Sequence, residues 1–120
     1  MCNLVILNST VDEVASYFKA RRPAATNASP GDVYPGGQGF VVRSEAGDRV
    51  VQAMTWGFPV RLKHMKPTSK PKPVNNARDD KLLTFWRTWF TNPAQRCLIP
   101  FTSFAEAEGE KGKMTRTWIG

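Results

Sequence analysis

Soft metal ligands are scarce in this 120-residue chain, with one histidine, His64, and two cysteines, Cys2 and Cys97. They show no paired spacing, so a zinc site is not expected, and one possible disulfide is too little for a disulfide scaffold. Acidic side chains are also few. Ten Asp and Glu stand against 17 Lys and Arg, a formal charge of +7, which points to a polyanionic partner, nucleic acid before membrane. Long apolar runs are missing, which excludes a spanning helix. The opening MCNLVILN has neither a basic leader nor a small-residue cleavage site, so the expected setting is the cytoplasm, with both thiols reduced. With 41% hydrophobic residues the chain is not a disordered polyelectrolyte, and its length allows a single domain over 1–120 with one modest core.

What is present begins at position 2. Removal of Met1 would leave Cys2 with a free α-amine and a thiol on adjacent carbons. Such an aminothiol condenses with an aldehyde to a Schiff base, and the thiolate then closes a thiazolidine ring. A thiol is the strongest common side-chain nucleophile near neutrality, more so beside positive charge.

The apolar run Leu4–Leu7 predicts a buried strand between Asn3 and Asn8. Thr10 and Glu13 have capping-box spacing, and Val14 and Phe18 lie on one face of the helix that follows. Residues 21–39, with Pro23, Pro30, Pro35 and Gly36-Gly37, predict a long irregular loop. A hairpin is expected from Phe40–Arg43 and Arg49–Trp56 around Gly47-Asp48. Residues 59–73 are proline-rich and basic, with no acid among them. A second helix is expected over Asp79–Phe90, a strand over Cys97–Phe104, a polar turn at Glu108–Lys113 and a last strand over Thr115–Ile119. The sequence closes on Trp118-Ile119-Gly120 as that strand opens, so a truncated domain is expected.

Three motifs carry candidate chemistry, each with an ordinary structural alternative. Met54-Thr55-Trp56-Gly57-Phe58-Pro59 reads as a core tryptophan and a turn. Asn75-Asn76-Ala77-Arg78 reads as a helix cap with a solvated arginine, but an amide beside an arginine also suits an anion. Arg96-Cys97-Leu98-Ile99-Pro100 leads to Glu106, a surface charge unless partly buried, when it could shuttle protons. The basic stretch with Arg61 and Lys63 is either a soluble loop or a phosphate-tracking surface, with Trp56 near enough to stack on bases.

Met-Cys, Trp-Gly-x-Pro, Asn-Ala-Arg, Arg-Cys-Leu-Ile-Pro and an aromatic-x-Glu, in this order, resemble the SRAP family, the SOS-response-associated peptidases. The resemblance runs from Cys2 to about Glu106 and implies covalent capture of abasic sites in single-stranded DNA as a thiazolidine. Self-processing peptidase activity and possible lyase activity accompany it, in the DNA damage response. It implies Cys2 as nucleophile, Asn76 as the amide that hydrogen-bonds the sugar or adduct, Glu106 as acid/base, and Arg78 as a phosphate contact. Trp56, Arg61 and Lys63 would add to the nucleic-acid surface. It also implies a mixed α/β (α+β) fold around a curved, barrel-like antiparallel sheet with a few flanking helices. A monomer is expected, without cofactor, metal or membrane. The chain departs from the family pattern at Asn3-Leu4, where glycine and arginine are usual, at Asp79-Asp80, and at the small Ala105 and Ala107 flanking Glu106. No later Pro-His motif supplies the family histidine, and His64 precedes Asn76. The alternative is a non-catalytic basic domain that binds single-stranded nucleic acid.

Overall fold

A computed structural model describes residues 2–23, 26 and 28–120. Met1, and the part of the expected loop at Ala24, Ala25 and Asn27, lie outside the described residues. The apolar run becomes strand β1 (Cys2–Leu7), with Leu4, Val5 and Leu7 buried. It is central in a four-stranded antiparallel sheet of order β2-β1-β7-β8, where β2 is Gly31–Val33, β7 is Ser103–Glu108 and β8 is Thr115–Ile119. At Val5 and Ile6 the strand has neighbours on both sides, which satisfies its backbone along both edges and suits an apolar stretch.

Helix α1 (Val11–Phe18) starts at the expected capping box. Thr10 Oγ1 accepts the Glu13 N–H at 3.2 Å, and Glu13 Oε1 accepts the Thr10 N–H at 3.4 Å. Two otherwise unsatisfied donors are thereby met, a contribution of about 1 kcal/mol. The helix buries Val14 and Ala15 against Leu7, Phe40, Val42 and Val51, and these form the core cluster.

The hairpin is β3 (Gln38–Glu45) and β4 (Asp48–Thr55), longer than expected. Glu45 pairs with Asp48, so Ala46-Gly47 is the two-residue turn, with φ of 50° and 84°. Positive φ at both positions is the requirement of a type I′ turn, whose twist matches the flanking strands. A second hairpin, β5 (Phe58–Val60) and β6 (Lys72–Val74), sets the basic residues 61–71 on the loop between its strands.

Gly57 joins the two hairpins at φ 113°, and a Cβ there would lie 2.8 Å from Pro73 Cβ and 3.0 Å from its carbonyl carbon. Gly57→Ala is therefore expected to cost about 2–4 kcal/mol, combining backbone strain with overpacking. Urea unfolding with an unchanged m-value would measure it, and a cost below about 0.5 kcal/mol would contradict the close approach.

Several expected elements differ. The loop over 21–39 holds strand β2, and Arg21 makes an isolated bridge to Val50. The helix expected over Asp79–Phe90 is a 3₁₀ turn at Asp79–Lys81, a series of turns, and one turn of α2 (Arg87–Phe90). Its N–H bonds drift from i−3 acceptors (Thr84 to Lys81, 3.3 Å) to an i−5 acceptor (Trp86 to Lys81, 3.1 Å). Packing explains the drift: Trp86 and Trp89 both pack against Phe58 in tilted ring contacts, with centroids 4.9 and 5.3 Å away. Threonines and aromatics are weak helix formers that do not resist this.

The strand expected over Cys97–Phe104 splits. Leu98 exchanges backbone hydrogen bonds with Val42 at 2.8 and 2.9 Å, while the strand proper begins at Ser103, against β1. Pro100, which has no N–H to donate, stands where the chain passes from β3 to β1. The last strand, β8, is paired along β7, from Phe104↔Ile119 to Glu108↔Thr115. The fold is α+β with antiparallel sheets, as expected. Among the described residues it comprises one four-stranded and two two-stranded sheets, and none of them closes into a barrel.

Candidate active site

Cys2 opens β1, and its cross-strand partner on β7 is Glu106. Residues 104 positions apart thus become direct neighbours, and directly opposite residues in an antiparallel pair have Cβ atoms about 4.5–5.5 Å apart. The pairing depends on an irregularity. Leu4↔Ala105, Val5↔Phe104 and Ile6↔Ser103 form a regular ladder, which continued unbroken would set Cys2 opposite Ala107. A bulge at Asn3 shifts the register by one and sets Cys2 against Glu106 instead. Bulges commonly re-aim a side chain in this way.

The faces then separate. Leu4 and Ala105 are 1% and 0% exposed and belong to the core, whereas Cys2 and Glu106 are both half-buried. Glu106 also faces Thr117 of β8 on its other side. The Cys2 S–H points to the Leu4 carbonyl, with Sγ 3.8 Å from the oxygen, a weak contact that leaves the sulfur available. Both cysteines are free thiols.

Asn75 completes the arrangement. It follows β6 and is half-buried, and its Nδ2–H donates to the carbonyl of Cys2. Asn76, the asparagine expected at the site, is exposed beside it. Neither caps a helix: the residue leading the 3₁₀ turn is Arg78, without a side-chain cap. Arg78 is exposed and forks onto Asp80, with Nε–Oδ1 and Nη2–Oδ2 both 3.0 Å. An exposed pair of this kind contributes at most about 1 kcal/mol, so a phosphate can compete for the guanidinium. Arg61 and Lys63 are exposed on the β5–β6 loop.

Trp56 is half-buried just beyond β4, with its backbone tied to Gly36 and Gly37. It lines a pocket of about 510 Å³ together with Phe58, Trp89, Arg43, Gln52 and Asn75. Asn75 therefore bridges this pocket to the Cys2 backbone. Cys97 lies on the same wall, and although the residue is exposed overall, desolvation raises its thiol above the ordinary value. That disfavours its thiolate at neutral pH. Neither the Asn75 contact nor the Asn3 bulge is legible in the sequence, where the doubled asparagine at 75–76 is the one hint of the first. Among the described residues, no group of three or more His, Cys, Asp or Glu is placed to hold a metal ion. No helix among them is long and apolar enough to cross a membrane.

The structure thus sets a cysteine at position 2 against a glutamate from a distant strand of an α+β domain. The family model for the SOS response associated peptidase (SRAP) matches residues 1–119, and the chain belongs to that family. No curated protein and no solved structure matches the chain.

Proposed function

We propose that this protein captures abasic sites in single-stranded DNA through Cys2, once Met1 has been removed by hydrolysis of the Met1–Cys2 bond. The observation that carries the reading is the pairing of Cys2 with Glu106 across β1 and β7, in a chain of the SRAP family. The ring-opened abasic sugar presents an aldehyde. The Cys2 amine adds to it and one water leaves, giving an imine. The thiol sulfur then bonds to the imine carbon while its proton passes to nitrogen, closing a thiazolidine. The net change is the loss of one water, and no oxidant, metal or cofactor takes part.

Two proton transfers in this sequence need a partner. Glu106, directly opposite Cys2, is the acid that protonates the departing oxygen and the base that relays the thiol proton to the nitrogen. Asn76 is the amide that meets the sugar, and Arg78 gives up Asp80 for a phosphate. Trp56, Arg61 and Lys63 extend the track, the tryptophan by stacking and the cations by charge.

Denaturing electrophoresis after mixing the protein with single-stranded DNA bearing one abasic site is the test. A band that keeps the mobility of a protein–DNA adduct supports capture. Salt-sensitive binding without such a band would leave a non-catalytic single-stranded nucleic-acid-binding domain in its place.

Arg78→Ala is expected to weaken non-covalent binding equally across DNA sequences, because a phosphate contact carries no base information. The slope of log K against log salt should become shallower by about 0.7, the value for one contact on a single strand. An unchanged slope in fluorescence anisotropy would remove Arg78 from the interface.

A further inference from the structure

We infer that Asn75 is a positioning residue that holds β1 in its bulged register and so keeps the Cys2 thiol on the face of Glu106; the inference rests on the proposed capture by Cys2. The regular ladder of β1 on β7 ends at Leu4↔Ala105, and only the extra residue at Asn3 sets Cys2 against Glu106. In a strand, a slip of one residue turns a side chain to the opposite face. A slip to the regular ladder would therefore put Cys2 opposite Ala107 and turn its thiol to the core side shared by Leu4 and Ala105.

The bulge does not hold itself. It leaves Asn3 Oδ1 buried without a hydrogen-bond partner among the described residues, an arrangement that costs free energy. Nor does β2 grip this end of the strand, since its pairing with β1 runs only from Val5 to Leu7. The grip comes from Asn75, whose Nδ2–H donates to the Cys2 carbonyl. Asn75 is itself fixed, because it directly follows β6, where Val74 pairs with Phe58. The second hairpin, through this one amide, sets the register at the reactive end of the first strand.

The test compares wild type, Asn75→Ala and Asn75→Asp in single-turnover crosslinking to abasic single-stranded DNA. Asn75→Asp keeps the size but loses the donor at neutral pH. Both variants should crosslink about 10- to 100-fold more slowly at saturating DNA, the range that misplacement of a reacting group costs. Half-saturating DNA concentration should stay within about twofold of wild type, since Asn75 acts on Cys2 and not on DNA. Relative to wild type at each pH, Asn75→Asp should recover as pH falls through about 4, because a protonated carboxyl donates again. Should Asn75→Ala fail to fold, the Asp variant carries the same test. A wild-type rate in either variant at neutral pH would overturn the inference.

A readout without DNA separates this inference from the proposed capture. In a Cys97→Ser background, alkylation of Cys2 by iodoacetamide should slow several-fold when Asn75→Ala is added, as the thiol turns toward the core. Equal alkylation rates would refute the positioning role even if crosslinking to DNA were observed. Slowed alkylation in a protein that forms no crosslink would refute the capture and leave the register role standing.

Discussion

Cys2→Ser is expected to abolish the stable adduct with abasic single-stranded DNA, a loss below detection on a denaturing gel, while the fold is retained. Serine keeps the size and still supports a transient imine through its α-amine, but its hydroxyl lacks the nucleophilicity to close the ring. The substitution falls at a half-buried strand end opposite Glu106 and outside the core cluster, so unfolding is not the route by which activity is lost. Cys97→Ser is the control. Its thiol is raised above the ordinary range by desolvation and is largely protonated near neutrality, so crosslinking should proceed at the wild-type rate. An undiminished adduct in Cys2→Ser would refute the assignment of the nucleophile.

Glu106→Gln is expected to slow crosslinking by about 10²-fold or more, the usual contribution of a general acid or base. The amide keeps the shape and much of the hydrogen bonding but transfers no proton. Non-covalent affinity should persist or rise slightly, because one negative charge leaves a site that meets phosphates. Single-turnover rates at saturating DNA isolate the chemical step from binding. Equal rates in the two proteins would make Glu106 an ordinary strand residue and remove proton transfer from its role.

Local signals in the sequence suffice where local chemistry decides the outcome. The Thr10–Glu13 capping box, the Leu4–Leu7 strand and the hairpin around Gly47 each follow from spacing or turn chemistry within a few residues. Over Asp79–Phe90 the helical spacing of Leu82, Trp86 and Trp89 is also compatible with turns that pack both tryptophans against Phe58, and packing decides for the turns. Over Cys97–Phe104 an apolar run does not reveal that its two ends pair with different strands. The meeting of Cys2 and Glu106 depends on a register between distant strands, which no pattern within either segment encodes. The family motifs named those residues, and the bulge at Asn3 is the geometric means that brings them together. Asn75 was hidden beside Asn76, since adjacent identical side chains differ only in where the backbone aims them.

The most direct test of capture by an N-terminal aminothiol is mass spectrometry of the crosslinked N-terminal peptide. After nuclease and protease digestion, the abasic-sugar adduct should sit on Cys2 as first residue, with Met1 absent and one water lost from the sum of peptide and sugar. An adduct on a lysine of the 61–71 loop or on Cys97, or a modified peptide that still carries Met1, would contradict the account.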